Sequence, residues 1–186
     1  MTASERTAAY AELADAARQR CSGLDMPARM QLVSDLVWQR LGSHTKPGTP
    51  HAHGRPYSWI GFYKRQAVRS PAPPVHGDQM ILVACRDKPA CSPIGMHGAC
   101  GRCCLKQRPL LIDNVSTLGD SYVACDPHDV SEIVVPCLDE SGACYAVIDG
   151  DSFDRAAFDQ TDVDGLADVV EASGLTAPIT RDALRL

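Results

Sequence analysis

Nine cysteines in a chain of 186 residues point first to redox or metal chemistry. Cys21 stands apart, and the other eight lie within 60 residues: Cys85, Cys91, Cys100, Cys103, Cys104, Cys125, Cys137 and Cys144. Their number is odd, and the first residues are charged throughout, unlike the apolar run of a secretory signal peptide. We therefore expect a reducing, cytoplasmic environment, in which reactive thiols are more frequent than permanent disulfides.

Two of these thiols stand in polar segments, in Lys88-Pro89-Ala90-Cys91 and Ala124-Cys125-Asp126. A thiolate that attacks a sulfoxide becomes a sulfenic acid, which needs a second thiol to close a disulfide. A cysteine in a neighbouring loop can meet that need. Cys137 and Cys144 fall within or beside apolar runs and are interpreted, like Cys21 and Cys85, as small buried hydrophobes. Cys100, Cys103 and Cys104 remain open between structural and auxiliary redox roles.

Acidic and aromatic residues form the second part of this chemistry. Asp149 and Asp151 are one residue apart at the end of a predicted strand, so both side chains point to one face, and Glu132 opens the preceding strand. Three converging carboxylates would raise the pKa of at least one member, keeping a proton available for a departing oxygen, and could also hold an ammonium group. Trp59 and Tyr63, four apart in a strand, offer an aromatic wall for a small apolar group.

These strings resemble the free methionine-R-sulfoxide reductases, a branch of the GAF-domain family, from about residue 58 to residue 175. The matching strings are SWIGFY, KPAC, GACG, ACD followed by SEIVVP, and VIDGDS. The resemblance implies that Cys125 attacks the sulfoxide sulfur, that Cys91 resolves the sulfenic acid and that Cys100 is auxiliary. It also implies that the substrate is bound by Trp59, Tyr63, Glu132, Asp149 and Asp151. The chain departs from the family at Arg102-Cys103-Cys104, where small apolar residues are more usual.

The family resemblance extends to fold and partners. It implies an α+β, GAF-like fold with a central six-stranded, mainly antiparallel sheet and helices on both faces, usually in a homodimer. Free methionine-R-sulfoxide would be the substrate and thioredoxin the electron donor, with no cofactor and no metal.

Hydrophobic periodicity predicts the elements that must position these residues. Helices are expected over residues 3–22, 27–41 and 158–172, and strands over 58–63, 80–84, 110–112, 133–138 and 145–148, with a turn-rich segment over 69–78. A loop rich in His, Pro and Gly lies between them at 43–56. We predict N-terminal helices and this loop over residues 1–56, a GAF domain over 57–176 and a C-terminal tail over 177–186.

Charge and composition exclude other partners. The net charge is −5 and the basic residues are scattered, so a nucleic acid is not an expected ligand. No apolar stretch approaches the roughly 18 residues that a membrane-spanning helix needs.

The sequence leaves three alternative functions open. Cys100, Cys103 and Cys104 with Cys91, His97 and His128 could supply zinc ligands, although only one C-x-x-C pair is present. Cys125 with His97 or His128 could form a hydrolase dyad, but no oxyanion motif accompanies it. The third alternative is a GAF module that binds a small molecule or senses redox state without turnover; a pure sensor of a cyclic nucleotide would need neither Cys91 nor Cys125. His44, His51 and His53 are assigned no role.

Overall fold

The protein is built around one mainly antiparallel sheet. A computed structural model describes residues 1–43, 54–71, 74–121 and 125–186. In chain order the elements are α1 (Ala3–Arg20), α2 (Met26–Leu41), β1 (Trp59–Pro71), β2 (Pro74–Arg86), β3 (Ile94–Gly95), α3 (Ala99–Lys106), β4 (Leu110–Ile112), a 3₁₀ segment (Val115–Ser121), β5 (Ser131–Leu138), β6 (Cys144–Ser152), α4 (Gln160–Ala172) and β7 (Leu184–Arg185). The strand order is β3-β2-β1-β6-β5-β4-β7, and only the β4–β7 pair is parallel.

The sheet separates two hydrophobic clusters, as strand alternation requires. Ile60 and Phe62 of β1 join the larger cluster, which packs against α1, α2 and α4. Trp59 and Tyr63 of the same strand join the smaller cluster, which includes α3. The predicted α+β arrangement with helices on both faces is therefore confirmed.

The sheet has seven strands where six were expected. The edge strands β3 and β7 contain two residues each, which is too short for a hydrophobic pattern to reveal. The segment at residues 69–78, predicted to be turn-rich, instead extends β1 and β2 as far as a Pro71–Pro74 pair. A histidine-rich loop was expected at residues 43–56, of which residues 44–53 lie outside the described residues.

Helix starts follow local capping chemistry. Thr2 and Glu5 form a reciprocal capping box at α1, and the Asp25 carboxylate accepts from the Ala28 amide at the start of α2. Helix α3 was not predicted: its eight residues include three cysteines and a glycine, and no side chain caps its first turn. None of the helices described is long and apolar enough to cross a membrane.

A buried polar network joins α1, α4 and the segment before β1. The Tyr57 hydroxyl donates to that of Tyr10 at 2.6 Å, and Tyr10 donates to Asp162 at 3.1 Å. Arg6 Nε lies 3.1 Å from the same carboxylate. Burial raises the pKa of Asp162 to about 6, although the hydrogen bond from the Asp159 amide, the Arg6 charge and the hydrogen bond from Tyr10 oppose the shift. Gly165 permits this packing because a Cβ there would lie 2.1 Å from the Tyr10 ring.

We expect Tyr10→Phe to lower the free energy of unfolding by about 1–3 kcal/mol, because it leaves the buried Tyr57 hydroxyl without its partner and removes one hydrogen bond to Asp162. Tyr57→Phe is the matched control and should cost less, since Tyr10 still donates to Asp162. Urea unfolding of the two variants and the parent protein measures both values. An equal or larger loss for Tyr57→Phe would contradict this account of the network.

Candidate active site

A cleft of about 470 Å³ opens between the sheet and the start of α3. Its walls come from β1, β5, β6, α3 and the segments before β3 and β5: Trp59, Tyr63, Ala90, Ile94, Gly95, Gly98, Ala99, Cys100, Cys125, Asp129, Glu132, Asp149 and Asp151. Seven of the eight residues predicted to form the site line this cleft. The eighth, Cys91, contacts Cys125.

Strand register brings the acidic side chains together. Asp151 of β6 pairs with Trp59 of β1 on one side and with Glu132 of β5 on the other, which makes one row across three strands. Asp149 lies one row further along the same face, opposite Gly61. A Cβ on Gly61 would meet the Trp59 indole at 2.4 Å, so the glycine leaves the space in which that ring lies.

The three predicted carboxylates are all buried. Glu132, Asp149 and Asp151 are 5%, 6% and 9% exposed. Burial raises the pKa of Asp149 to about 6, although hydrogen bonds with Cys100 and Glu132 oppose the shift. Burial and the nearby Asp149 charge raise the pKa values of Glu132 and Asp151 well above their usual range. Glu132 and Asp151 therefore keep their protons at neutral pH, whereas Asp149, which has the lower pKa, ionises more readily.

Asp129 is a fourth buried carboxylate of the cleft, and it is not among the site residues predicted from the sequence. It accepts from the Ser58 hydroxyl at 3.3 Å. Burial and the neighbouring Asp126 charge raise its pKa to about 7. The residue lies in an irregular segment before β5, where no strand or helix periodicity indicates which way a side chain points. Its spacing of three residues from Glu132 was the only available signal.

Cys91 and Cys125 are the two exposed members of the nine cysteines. Burial of the Cys125 sulfur, together with the neighbouring Cys91 thiol, raises the pKa of Cys125 to about 12. Cys100 is buried, and its thiol donates to Asp149 Oδ2 at 3.1 Å. Burial and the Asp149 charge raise the Cys100 pKa well above its usual range.

The aromatic residues hold the Cys91 segment over the cleft. Trp59 Nε1 donates to the Lys88 carbonyl at 2.7 Å, and the Tyr63 hydroxyl donates to the Cys91 carbonyl at 2.9 Å. The two rings lie 6.1 Å apart between centroids. Trp59 and Tyr63 thus combine an apolar wall with two polar anchors.

An ion pair joins the two cysteine segments from the other side. Lys88 donates to the Asp126 carboxylate, which also accepts from the His128 backbone amide and lies 2.8 Å from His128 Nδ1. Burial alone would raise the pKa of Asp126. The hydrogen bonds from Lys88 and His128 outweigh burial and hold this pKa at about 2. Asp126 therefore stays ionised while the carboxylates of the cleft hold protons.

The zinc set weighed from the sequence is not brought together. Within the described ranges, the group of possible ligands that does converge is Cys100, Glu132 and Asp149, whose ligand atoms lie within 4.8 Å of one another. Cys103 and Cys104 point elsewhere, to the Val134 and Cys144 carbonyl oxygens. These three cleft residues could hold a borderline-soft cation if Cys100 and Glu132 gave up their protons, since metal ligands bind in the deprotonated form.

Comparisons with known proteins agree with this geometry. The chain is 32% identical over 106 residues to the free methionine-R-sulfoxide reductase of Saccharomyces cerevisiae. The structure of the Neisseria meningitidis free methionine-R-sulfoxide reductase in complex with its substrate matches 90% of this chain and 87% of its own, with a TM-score of 0.70 and 24% identity. A solved GAF domain matches 95% and 97% of the two chains, with a TM-score of 0.73 and 22% identity.

These matches differ in extent. The yeast alignment covers 56% of this chain, and the chain spans 54% and 66% of the lengths of the two curated relatives it matches. No protein-family model matches the sequence. The structural likenesses establish the GAF fold. The chain therefore has the GAF fold and is similar in sequence to a free methionine-R-sulfoxide reductase.

Proposed function

We propose that this protein reduces free methionine-R-sulfoxide to methionine, with Cys125 as the nucleophile and Cys91 as the resolving thiol. The observation that carries the proposal is the contact between these two exposed thiols at a cleft lined by four buried carboxylates. Redox chemistry needs two thiols in reach of each other, and a departing oxygen needs a proton. Both requirements meet in one place.

The cleft suits the parts of a free amino-acid sulfoxide. Its carboxylates can bind the ammonium group, and Trp59 and Tyr63 can contact the S-methyl group. Gly98 and Ala99 also line the cleft at the beginning of α3, where no side chain caps the backbone amides. Such amides favour an anion, so they suit the substrate carboxylate. A methionine sulfoxide inside a folded polypeptide lacks both charged groups, and we therefore expect it to be a poor substrate.

Oxygen transfer accounts for every atom of the first step. The Cys125 sulfur attacks the sulfoxide sulfur while a neutral carboxyl group of the cleft protonates the sulfoxide oxygen. The sulfur–oxygen bond of the substrate breaks as the oxygen moves to Cys125, which leaves methionine and a sulfenic acid. The thiol proton of Cys125 replaces the proton that the carboxyl group gave. A thiol with a pKa near 12 can react in this way because its proton has an acceptor among the carboxylates.

Recycling requires the second thiol. The Cys91 sulfur attacks the Cys125 sulfenic acid, the disulfide forms and the oxygen leaves as water with the Cys91 proton. A dithiol reductant such as thioredoxin would then reduce the disulfide, and the exposure of Cys91 suits an attack on that residue. Thioredoxin, the homodimer and the cytoplasmic location stay predictions.

A GAF module that binds a small molecule without turnover is the second candidate. The observation that favours it is the high pKa of Cys125, since few such thiols are ionised at neutral pH. The two candidates differ in one measurement: only the reductase releases methionine from its ligand.

The function is tested by the release of methionine from free L-methionine-R-sulfoxide in the presence of a dithiol. We expect turnover by the parent protein and a loss of at least about a hundredfold in Cys125→Ser, because a serine hydroxyl is a far weaker nucleophile toward sulfur. Cys85→Ser, outside the cleft, is the matched control and should retain activity. Turnover by Cys125→Ser would reject the nucleophile, and ligand binding without turnover by the parent protein would favour the sensing module.

The role of Cys91 is tested by separating the first turnover from the later ones. Cys91→Ala should release about one methionine per chain in a single-turnover assay and then stop with thioredoxin, because the sulfenic acid has no thiol in reach. Dimedone labelling of Cys125 after the burst measures the trapped sulfenic acid. Unchanged steady-state turnover with thioredoxin would assign the resolving role to another cysteine.

The burial of the acidic cluster can be tested by measuring how the stability of an Asp129 variant depends on pH. Its folded-state pKa is raised, so its contribution to stability is complete below about pH 4 and is lost as the pH rises to about 7. We expect the free energy of unfolding of Asp129→Asn to exceed that of the parent protein by about 1–3 kcal/mol at pH 8. At pH 4 the two proteins should be equally stable. Urea unfolding at both pH values measures the difference. Asp15→Asn, on the exposed surface of α1, should leave the profile unchanged, and a pH-independent effect of Asp129→Asn would contradict the buried charge.

A further inference from the structure

One carboxylate oxygen on the floor of the cleft is buried without a hydrogen bond. Asp149 is 6% exposed, and its Oδ1 atom has no hydrogen-bond partner among the described residues. The other oxygen of this carboxylate, Oδ2, accepts from the Cys100 thiol at 3.1 Å. Buried polar atoms nearly always have a partner, because leaving one without a partner is unfavourable. The free oxygen therefore points to a ligand that enters the cleft from outside the chain.

Two further ligand atoms lie beside this carboxylate. The Cys100 sulfur, a Glu132 carboxylate oxygen and an Asp149 carboxylate oxygen lie within 4.8 Å of one another. Around a tetrahedral zinc ion, with zinc–sulfur bonds of about 2.3 Å and zinc–oxygen bonds of about 2.1 Å, the ligand atoms are roughly 3.5 Å apart. The sulfur–oxygen distance of 3.1 Å between Cys100 and Asp149 is already close to this spacing. Small movements of the three side chains would therefore bring all of them onto one metal ion.

Regular secondary structure holds the three ligand residues. Cys100 is in the first turn of α3, Glu132 is the second residue of β5, and Asp149 lies on β6, the hydrogen-bonded neighbour of β5. Sites on helices and strands keep their geometry better than sites on loops. All three residues line the cleft, so a bound ion would keep an open position for water or for another ligand.

We propose that Cys100, Glu132 and Asp149 form a binding site for a borderline divalent cation such as Zn²⁺. The thiolate favours such an ion over Mg²⁺ and Ca²⁺, which prefer oxygen ligands alone. Binding forms one metal–sulfur and two metal–oxygen bonds, and the protons that the thiol and the carboxyl groups hold are released to solvent. The affinity for the cation should therefore increase as the pH rises. No electrons are transferred.

The cation would compete with the substrate of the cleft. The function proposed above needs no metal, and it uses Glu132 and Asp149 to bind an ammonium group and to supply a proton. A bound cation occupies the same oxygens, so it should block the cleft reversibly. Only this consequence rests on the proposed function. Cation binding can be measured without turnover, so its outcome stays separate from that of the methionine-release assay.

The experiment titrates Co²⁺ into the full chain carrying Cys91→Ser and Cys125→Ser, which removes the two exposed thiols. We expect a sulfur-to-cobalt charge-transfer band in the ultraviolet spectrum that saturates at one ion per chain, because sites made of histidines or carboxylates alone give no such band. Zn²⁺ should abolish the band by displacing the cobalt, whereas an excess of Mg²⁺ should leave it unchanged. Absence of the band, or its loss on addition of Mg²⁺, would overturn the proposal.

Variants made in the same background assign the ligands. Cys100→Ser should abolish the band, and Asp149→Asn should weaken Co²⁺ binding by at least about tenfold, since even the loss of a residue that only supports a metal ligand can cost this much. Cys103→Ser removes another buried thiol of α3 and is the matched control, which should keep both the band and the affinity. Circular dichroism checks that each variant is folded. A band that persists in folded Cys100→Ser, or that disappears in folded Cys103→Ser, would overturn the proposed site.

Discussion

The burial of four carboxylates against one wall of the sheet is the constraint around which this molecule is arranged. Removing ionised carboxylates from water is unfavourable, and like charges close together make it more so, so the group keeps part of its protons at neutral pH. The opposite face of the sheet, covered by α1, α2 and α4, supplies the apolar burial that offsets this cost. Stability on one face therefore permits a destabilising but reactive arrangement on the other.

Ionisation differs sharply over a short distance at the cleft. Asp126, paired with Lys88 and His128, stays charged, whereas Asp129, three residues later, holds its proton up to about neutral pH. The ion pair of Asp126 belongs to the segments that carry the thiols, and the protonated groups belong to the floor beneath them. One set fixes position, and the other stores protons for chemistry.

Regular strands made much of the site predictable. Alternation alone put Trp59 with Tyr63 and Asp149 with Asp151, and the register of β5 and β6 added Glu132. Asp129 and the contact between Cys91 and Cys125 were beyond such reasoning, because irregular backbone has no period from which a side-chain direction follows. Helix α3 escaped prediction for a related reason: it is short and rich in cysteine, and tertiary packing rather than propensity holds it. The resemblance to a family, and not periodicity, indicated the roles of the two exposed thiols.

The hydrogen bonds from Trp59 and Tyr63 to the Lys88 and Cys91 carbonyls couple ligand binding in the cleft to the position of the loop that carries Cys91. A molecule that fills the cleft presses on the same rings that anchor the loop above it. A ligand that binds better with the rings in one position therefore also favours one position of the loop. By linkage, a change in the position of the loop changes the affinity of the cleft for the ligand by the same factor. If the proposed disulfide forms and moves Cys91, it would therefore also change the affinity of the cleft for its ligand.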